Sequence, residues 1–207
     1  MKLIALLCCL AATATLAAEP FHVLVFVPAA YGANSNLNRE MYDRLGWDVT
    51  LAGVTDVVQP CNSGLPPITV DVLIDDIPSA EPYDCIAIWP SRWQLSNPYG
   101  DLIASAHAIE LIQQANAAGK VLWCTCAGLR VFAAADIING VQVQGRPGSG
   151  NVFLQEYLDA GAIYLGQALP PVIDGNIVTT MRGQNFYQIN NEAILTAYRS
   201  LQVGGEE

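Results

Sequence analysis

The sequence is short of charge, and of positive charge most of all. Only 14% of its 207 residues are charged, against roughly 25% in an ordinary soluble domain. Nine Lys and Arg face nineteen Asp and Glu, for a formal net charge of −10. So few cations give no basic face for phosphates, which excludes nucleic acid as a partner. They also give no polybasic patch for an anionic membrane surface. There are only two histidines, His22 and His107. Six cysteines in a chain of this length do not make a disulfide-built miniprotein. No Asn-x-Ser/Thr sequon occurs, so N-glycosylation is not expected. Beyond residue 18, no run approaches the ~20 apolar residues of a membrane span.

What the chain has in excess is apolar surface, 52% of its residues. Part of it lies at the start. Residues 1–18, MKLIALLCCLAATATLAA, carry one charge (Lys2), then an apolar stretch from Leu3 to Leu10, then small residues. This is the three-part pattern of an export signal. Ala12-Thr13-Ala14 fits the small-x-small rule, whereas a cut after Ala17 or Ala18 lies nearer the Glu19-Pro20 boundary. The other reading is a buried N-terminal helix. Removal of 1–18 takes away Lys2 and no acid, so the expected mature charge falls from −10 to −11. Cys61, Cys85, Cys124 and Cys126 would remain, in an oxidising compartment where disulfides persist. Cys61 and Cys85 are the candidate pair.

The rest of the excess alternates in type. Phe21 to Pro28 is a valine-rich run of the kind buried on both faces of a parallel sheet. A helical pattern follows, with Leu37, Met41 and Leu45 spaced by four, Asn34 or Ser35 as cap and Gly46 as stop. Asp48 to Ala52 completes a βαβ unit. The region from Gly53 to Pro82 is broken by prolines, with an edge strand expected over Ile68 to Ile74. Tyr83 to Pro90 reads as a strand, Asp101 to Ala118 as a helix burying Leu102, Ala106, Ile109 and Ile112, and Lys120 to Cys124 as a strand entering a helix at 127–135. Pro171 to Ile173 and Asn176 to Thr180 flank an Asp-Gly hairpin turn. A last helix carries Phe186, Ile189, Ala193, Ala197 and Leu201, before a disordered tail at 204–207. The pattern predicts one α/β domain over 21–203, a three-layer sandwich with a mostly parallel central sheet of flavodoxin-like type. In such folds ligands bind at the carboxyl ends of the strands.

The chemistry-bearing stretch is Lys120 to Gly140, where a buried strand runs through Thr125-Cys126-Ala127-Gly128 into a helix. This is the layout of a nucleophile elbow, a tight turn that exposes a side chain at a strand end. A helix N-terminus favours the thiolate of Cys126, and the Ala127 amide is a candidate oxyanion donor. The other reading of Cys126 is a small buried hydrophobe. Gly128 would let helix and sheet approach.

This stretch resembles the ThiJ/PfpI family of the class I glutamine-amidotransferase-like superfamily: a Cys-Ala-Gly elbow, an alanine-rich helix, Ile138-Asn139-Gly140 and a strand. Val49 to Gly53, Tyr83 to Pro90, Ala160-Gly161-Ala162 and Val172 to Thr180 are similar to other segments of that family, in the same order. The resemblance covers roughly 21–201. It implies chemistry through the elbow cysteine, here Cys126, in enzymes such as glyoxalases, deglycases, hydratases and peptidases, and also in chaperones. It implies a small-molecule ligand or substrate and a homodimer. It implies no cofactor and no metal, and the mature chain needs no membrane.

The departures from the family pattern all fall in the pocket. A glutamate in the first βα loop is replaced by Asn34. A histidine is expected at Ala127 or near Gly145 and Arg146, and neither site carries one. A glycine pair after the strand's proline is replaced by Ser91-Arg92. His22 begins the first strand, at the far end of the sheet, and His107 lies inside a helix, so a Cys–His dyad is not expected. Activation of Cys126 would need the helix terminus and a cation from Arg92, Arg130, Arg146 or Arg182. Ser91 is the second candidate oxyanion amide, and Asn34, Arg92, Trp93 and Arg146 are candidate binding residues. Cys124 and Cys126 sit two apart across a strand end, where no internal disulfide is expected, and no second Cys or His pair completes a zinc site. The reading favoured is an exported small-ligand-binding or non-catalytic member. The alternatives are a cysteine-dependent hydrolase or glyoxalase/deglycase-like enzyme acting on small carbonyl or acyl compounds, and a thiol redox sensor.

Overall fold

The computed structural model describes residues 20–32, 35–61, 65–91, 97–167, 170–181 and 187–204. The expected export signal, Asn34, Arg92, Trp93, Arg182, Phe186 and all but the first residue of the tail at 204–207 lie outside the described side chains or residues.

The strands are β1 (His22–Phe26), β2 (Ala30–Tyr31), β3 (Asp48–Gly53), β4 (Val57–Pro60), β5 (Ile68–Thr69), β6 (Val72–Leu73), β7 (Cys85–Ile88), β8 (Val121–Thr125), β9 (Gln142–Val143), β10 (Ile163–Tyr164), β11 (Val172–Asp174) and β12 (Ile177–Thr180). The helices are α1 (Ser35–Leu45), α2 (Gly100–Ala104), α3 (Ala106–Ala117), α4 (Leu129–Ala134), α5 (Leu154–Asp159) and α6 (Tyr187–Gly204).

The central sheet has the order β11-β12-β8-β7-β1-β3-β6, parallel except for the β11–β12 hairpin. The middle strands are apolar at nearly every position because helices cover both faces. Thus all five residues of β8 and all four of β7 are buried. One face packs Leu24, Phe26, Ile86, Ile88 and Leu122 against α2 to α5. The other packs Val23, Val25, Ala87, Trp123 and Val178 against Tyr42 of α1 and Ala193, Ile194 and Ala197 of α6. The mostly parallel α/β sandwich read from the sequence is therefore the observed fold.

Four local expectations change. The helix over 101–118 is two helices, because Ser105 is extended (φ −80°, ψ 106°) and its side chain caps α3 by accepting from the Ala108 N–H. That break resets the helical phase. Ala108, Leu111, Ile112 and Ala115 are buried, while Ala106 and Ile109 are not fully so. Among the described side chains of α1 the fully buried one is Tyr42, and Leu45 is 41% exposed. In α6 Ile189 faces solvent, and the buried stripe starts at Asn190 and Asn191. The edge strand over 68–74 is two short strands, β5 pairing with β4 and β6 with β3.

Candidate functional site

The site is built where the parallel strands end. β8 delivers Thr125, and Cys126 then turns the chain with φ +59°, a left-handed conformation that costs a side-chain-bearing residue on the order of 1 kcal/mol or more. A 3-10 turn over Cys126–Gly128 leads into α4. The strand, turn and helix read from the sequence follow one another as β8, this 3-10 turn and α4. Gly128 is not the residue that demands a missing side chain. A Cβ there would meet Cys124 and Ile88 no closer than 3.4 Å, whereas one at Gly145 would lie 2.9 Å from Leu129 Cδ2 and 3.0 Å from the Cys126 carbonyl oxygen. A side chain at position 145, histidine included, requires Leu129 or the elbow backbone to shift.

Cys126 is only partly exposed. Burial pushes its thiol pKa up, and two groups act against that rise: the Ala127 N–H, which bonds the sulfur, and the Arg146 guanidinium. Burial wins. The helix terminus contributes little because α4 has six residues and begins through a 3-10 turn. Among the described residues, Arg146 is the one of the four candidate cations that acts on the thiol. Arg130 is committed elsewhere: it binds both carboxylate oxygens of Glu156 (2.7 and 3.0 Å), Asn97 Oδ1 (2.9 Å) and the Pro98 carbonyl (2.6 Å), and lies over the Phe153 ring.

The loop that presents Arg146 is tied at every step. Gln144 donates its amide to Thr179 Oγ1 and its side chain to the carbonyls of Pro170 and Thr179. Tyr164 Oη donates to the Gly145 carbonyl and Tyr157 Oη to the Arg146 carbonyl, both at 2.8 Å. The Arg146 N–H donates to the Cys126 carbonyl at 3.0 Å.

Ser91, the second candidate oxyanion amide, is hydrogen-bonded through both its N–H and its hydroxyl. Its N–H donates to Tyr99 Oη at 2.9 Å and its hydroxyl to the Ala30 carbonyl at 2.7 Å. The amide expected to meet an oxyanion is spent on a phenol. With the Gly32 N–H on the Pro90 carbonyl (2.7 Å), these bonds close the crevice between the ends of β1 and β7. Ala127 likewise turns its N–H onto the Cys126 sulfur.

The sequence assigns no role to Tyr157, whereas Tyr99, with Trp89 and Trp93 in the loop after β7, reads as a liner of an apolar pocket or a cover of the sheet end. Both tyrosines are buried and both interact electrostatically with Cys126 and Cys124, and burial raises both phenol pKa values. Neither histidine reaches the site. His22 pairs with Asp48 at the opposite end of the sheet, and His107 bonds the Ile77 carbonyl and pairs with Glu110. Asp101, at the mouth, accepts from the Ala29 N–H at 2.7 Å. Among the described residues Cys61, Cys85, Cys124 and Cys126 form no disulfide, so the candidate Cys61–Cys85 pair is not made. Among the described residues no His, Cys, Asp and Glu cluster suits a metal ion, and no helix is long and apolar enough to cross a membrane.

A model of the DJ-1/PfpI family matches residues 33–195. Comparison with curated proteins finds no match. Among solved structures, the chain is similar to a two-domain protein from Anabaena variabilis with DJ-1/ThiJ/PfpI-like and ferritin-like domains (TM-score 0.71, 19% identity, covering 85% of this chain and 47% of that one). The chain therefore spans about half of that protein's length. It is also similar to a ThiJ/PfpI domain protein from Brachyspira murdochii (TM-score 0.70, 12% identity, covering 88% and 99%). A DJ-1 mutant from Schizosaccharomyces pombe matches with TM-score 0.68 and 16% identity, covering 90% and 99%. At such identities these likenesses show the fold.

Proposed function

Starting from the fact that this chain belongs to the DJ-1/PfpI family, we propose that it is an exported, small-ligand-binding member in which Cys126 is not a standing thiolate nucleophile. One observation carries this reading: burial of the Cys126 thiol outweighs the Ala127 amide and the Arg146 cation, so the protonated form dominates at neutral pH. No histidine faces the sulfur among the described residues, and the Ser91 amide is already bonded. The N-terminal pattern of residues 1–18 supports export, and intact-mass measurement of protein recovered outside the cytoplasm tests it.

The test of the site is a screen of small aldehydes, esters and thioesters, run alongside the pH dependence of Cys126 alkylation. A ligand-binding member shows no turnover that depends on Cys126 and alkylates half-maximally above the range of an ordinary thiol. Robust turnover abolished by Cys126→Ser overturns the reading.

The left-handed backbone at Cys126 favours a second reading, because such strain collects at functional sites. In it, the Cys126 sulfur adds to an aldehyde carbon and the thiol proton passes to the carbonyl oxygen, giving a neutral hemithioacetal. Trapping of that adduct by mass spectrometry with methylglyoxal, lost in Cys126→Ser, is its signature.

A further inference from the structure

The face of the sheet covered by α1 and α6 holds an unusual set of buried polar atoms. Tyr42 and Trp89 stand against each other there. Trp123 Nε1, Thr125 Oγ1, Asn190 Nδ2 and Asn191 Nδ2 are buried without a hydrogen-bond partner among the described residues. Thr125 is 0% exposed, Asn190 1% and Asn191 2%. Every one of these atoms is a donor, and buried donors are normally paired.

Their positions follow from the register. Ile194 and Ala197 of α6 pack with Val178 and Trp123. Asn190 and Asn191 continue the same helical stripe one turn toward the α6 N-terminus, a step of ~5.4 Å. α6 follows β12 and packs back over β12 and β8, so that step runs toward the carboxyl ends of the strands. Two residues along a strand cover ~6.6 Å, which leads from Val178 to Thr180 and from Trp123 to Thr125, partners in register. By these rises the two asparagines fall at the level of the Thr125–Thr180 row. Thr180 is engaged there, its hydroxyl donating to the Cys124 carbonyl at 3.4 Å. α6 has 18 residues, so its first turn brings the positive end of a full helix dipole to the same place. Glu192, the acid next in sequence, is exposed.

We propose that Thr125, Asn190 and Asn191 form a binding niche for the carboxylate of a small organic acid, beside the elbow and separate from the Cys126 sulfur. Three neutral donors and a helix N-terminus suit an acceptor-only group, and a planar carboxylate offers two oxygens to share among them. The niche gives the small-ligand reading a chemical class and rests on it. Because it does not use the sulfur, the two fail separately.

The experiment is an NMR titration of the full chain with sodium acetate, following the side-chain amide signals of Asn190 and Asn191, with acetamide as neutral isostere and sodium chloride as ionic control. Saturable shifts with acetate, weaker shifts with acetamide and none with chloride are expected. Thr125→Val and Asn191→Leu should each weaken acetate binding at least tenfold without lowering the melting temperature, because each removes an unpaired donor. Cys126→Ser should bind acetate as the parent does, whatever the alkylation profile shows. Four results overturn the niche: no saturable acetate response; a response that survives both donor variants; loss of binding in Cys126→Ser; or amide signals that contact bound water only.

Discussion

Cys126 and Arg146 are joined twice. The Arg146 N–H donates to the Cys126 carbonyl at 3.0 Å, and the Arg146 guanidinium draws the thiol pKa down against the larger effect of burial. The residue nearest the family's histidine position thus serves as both a backbone brace and a fixed positive charge. Unlike imidazole, a guanidinium cannot accept a proton from the thiol.

The first prediction concerns reactivity. Iodoacetamide alkylation of Cys126 should rise with pH to a midpoint above ~8.5, the ordinary thiol value. Arg146→Ala removes the group that lowers the pKa, so the midpoint moves higher still and the rate at pH 8 falls severalfold. A midpoint below neutrality in the parent chain would contradict the geometry.

The second concerns Arg130. Its guanidinium is nearly buried, and Glu156 is about half-exposed (side chains 10% and 40%). Arg130→Met strands the acceptors of Glu156, Asn97 and Pro98 and should cost on the order of 3 kcal/mol, measured by urea unfolding. Arg130→Lys should recover little of it, because a point charge cannot replace the two-oxygen fork.

The third concerns Gly145. Gly145→Ala pushes a methyl against Leu129 and the Cys126 carbonyl. A destabilisation of about 1–3 kcal/mol is expected, with a changed Cys126 alkylation rate because the elbow backbone must shift.

The fourth concerns pH. Burial raises the Asp101 pKa above 3.8 against the opposing hydrogen bonds from the Ala29 and Leu102 amides. A carboxyl whose folded pKa is raised favours the folded state while protonated, at low pH. That contribution is lost as pH rises through 3.8 and the folded value. Asp101→Asn, which keeps an acceptor for Ala29, should therefore raise the melting temperature by a few degrees at pH 7 and not at pH 3.

The sheet was legible because strands buried on two faces read as unbroken apolar runs, as in His22 to Phe26 and Val121 to Thr125. The elbow was legible for the same reason, since β8 had to end at a small-residue turn before α4. Helical phase was less so. Ser105 interrupts a periodic pattern without Pro or Gly, and only its capping hydroxyl reveals the break. Arg130 reads as a surface cation by type. The signal that it was not lay in its neighbours, because Leu129, Val131 and Phe132 leave no solvent face on that turn. Tyr99 and Ser91 are eight residues apart, and no periodicity announces that a phenol will take up a backbone amide.

The left-handed turn at Cys126 is set by the backbone and is indifferent to the sulfur it carries. The chain therefore bears the strain of a reactive elbow whether or not the elbow reacts. Chemistry can be lost or regained on it by exchanging the side chains around an unchanged turn. A single imidazole at position 146, on a loop already held by Tyr157 and Tyr164, would put a titrating base where a permanent charge now stands. For this architecture, catalyst and receptor are neighbouring states in sequence space.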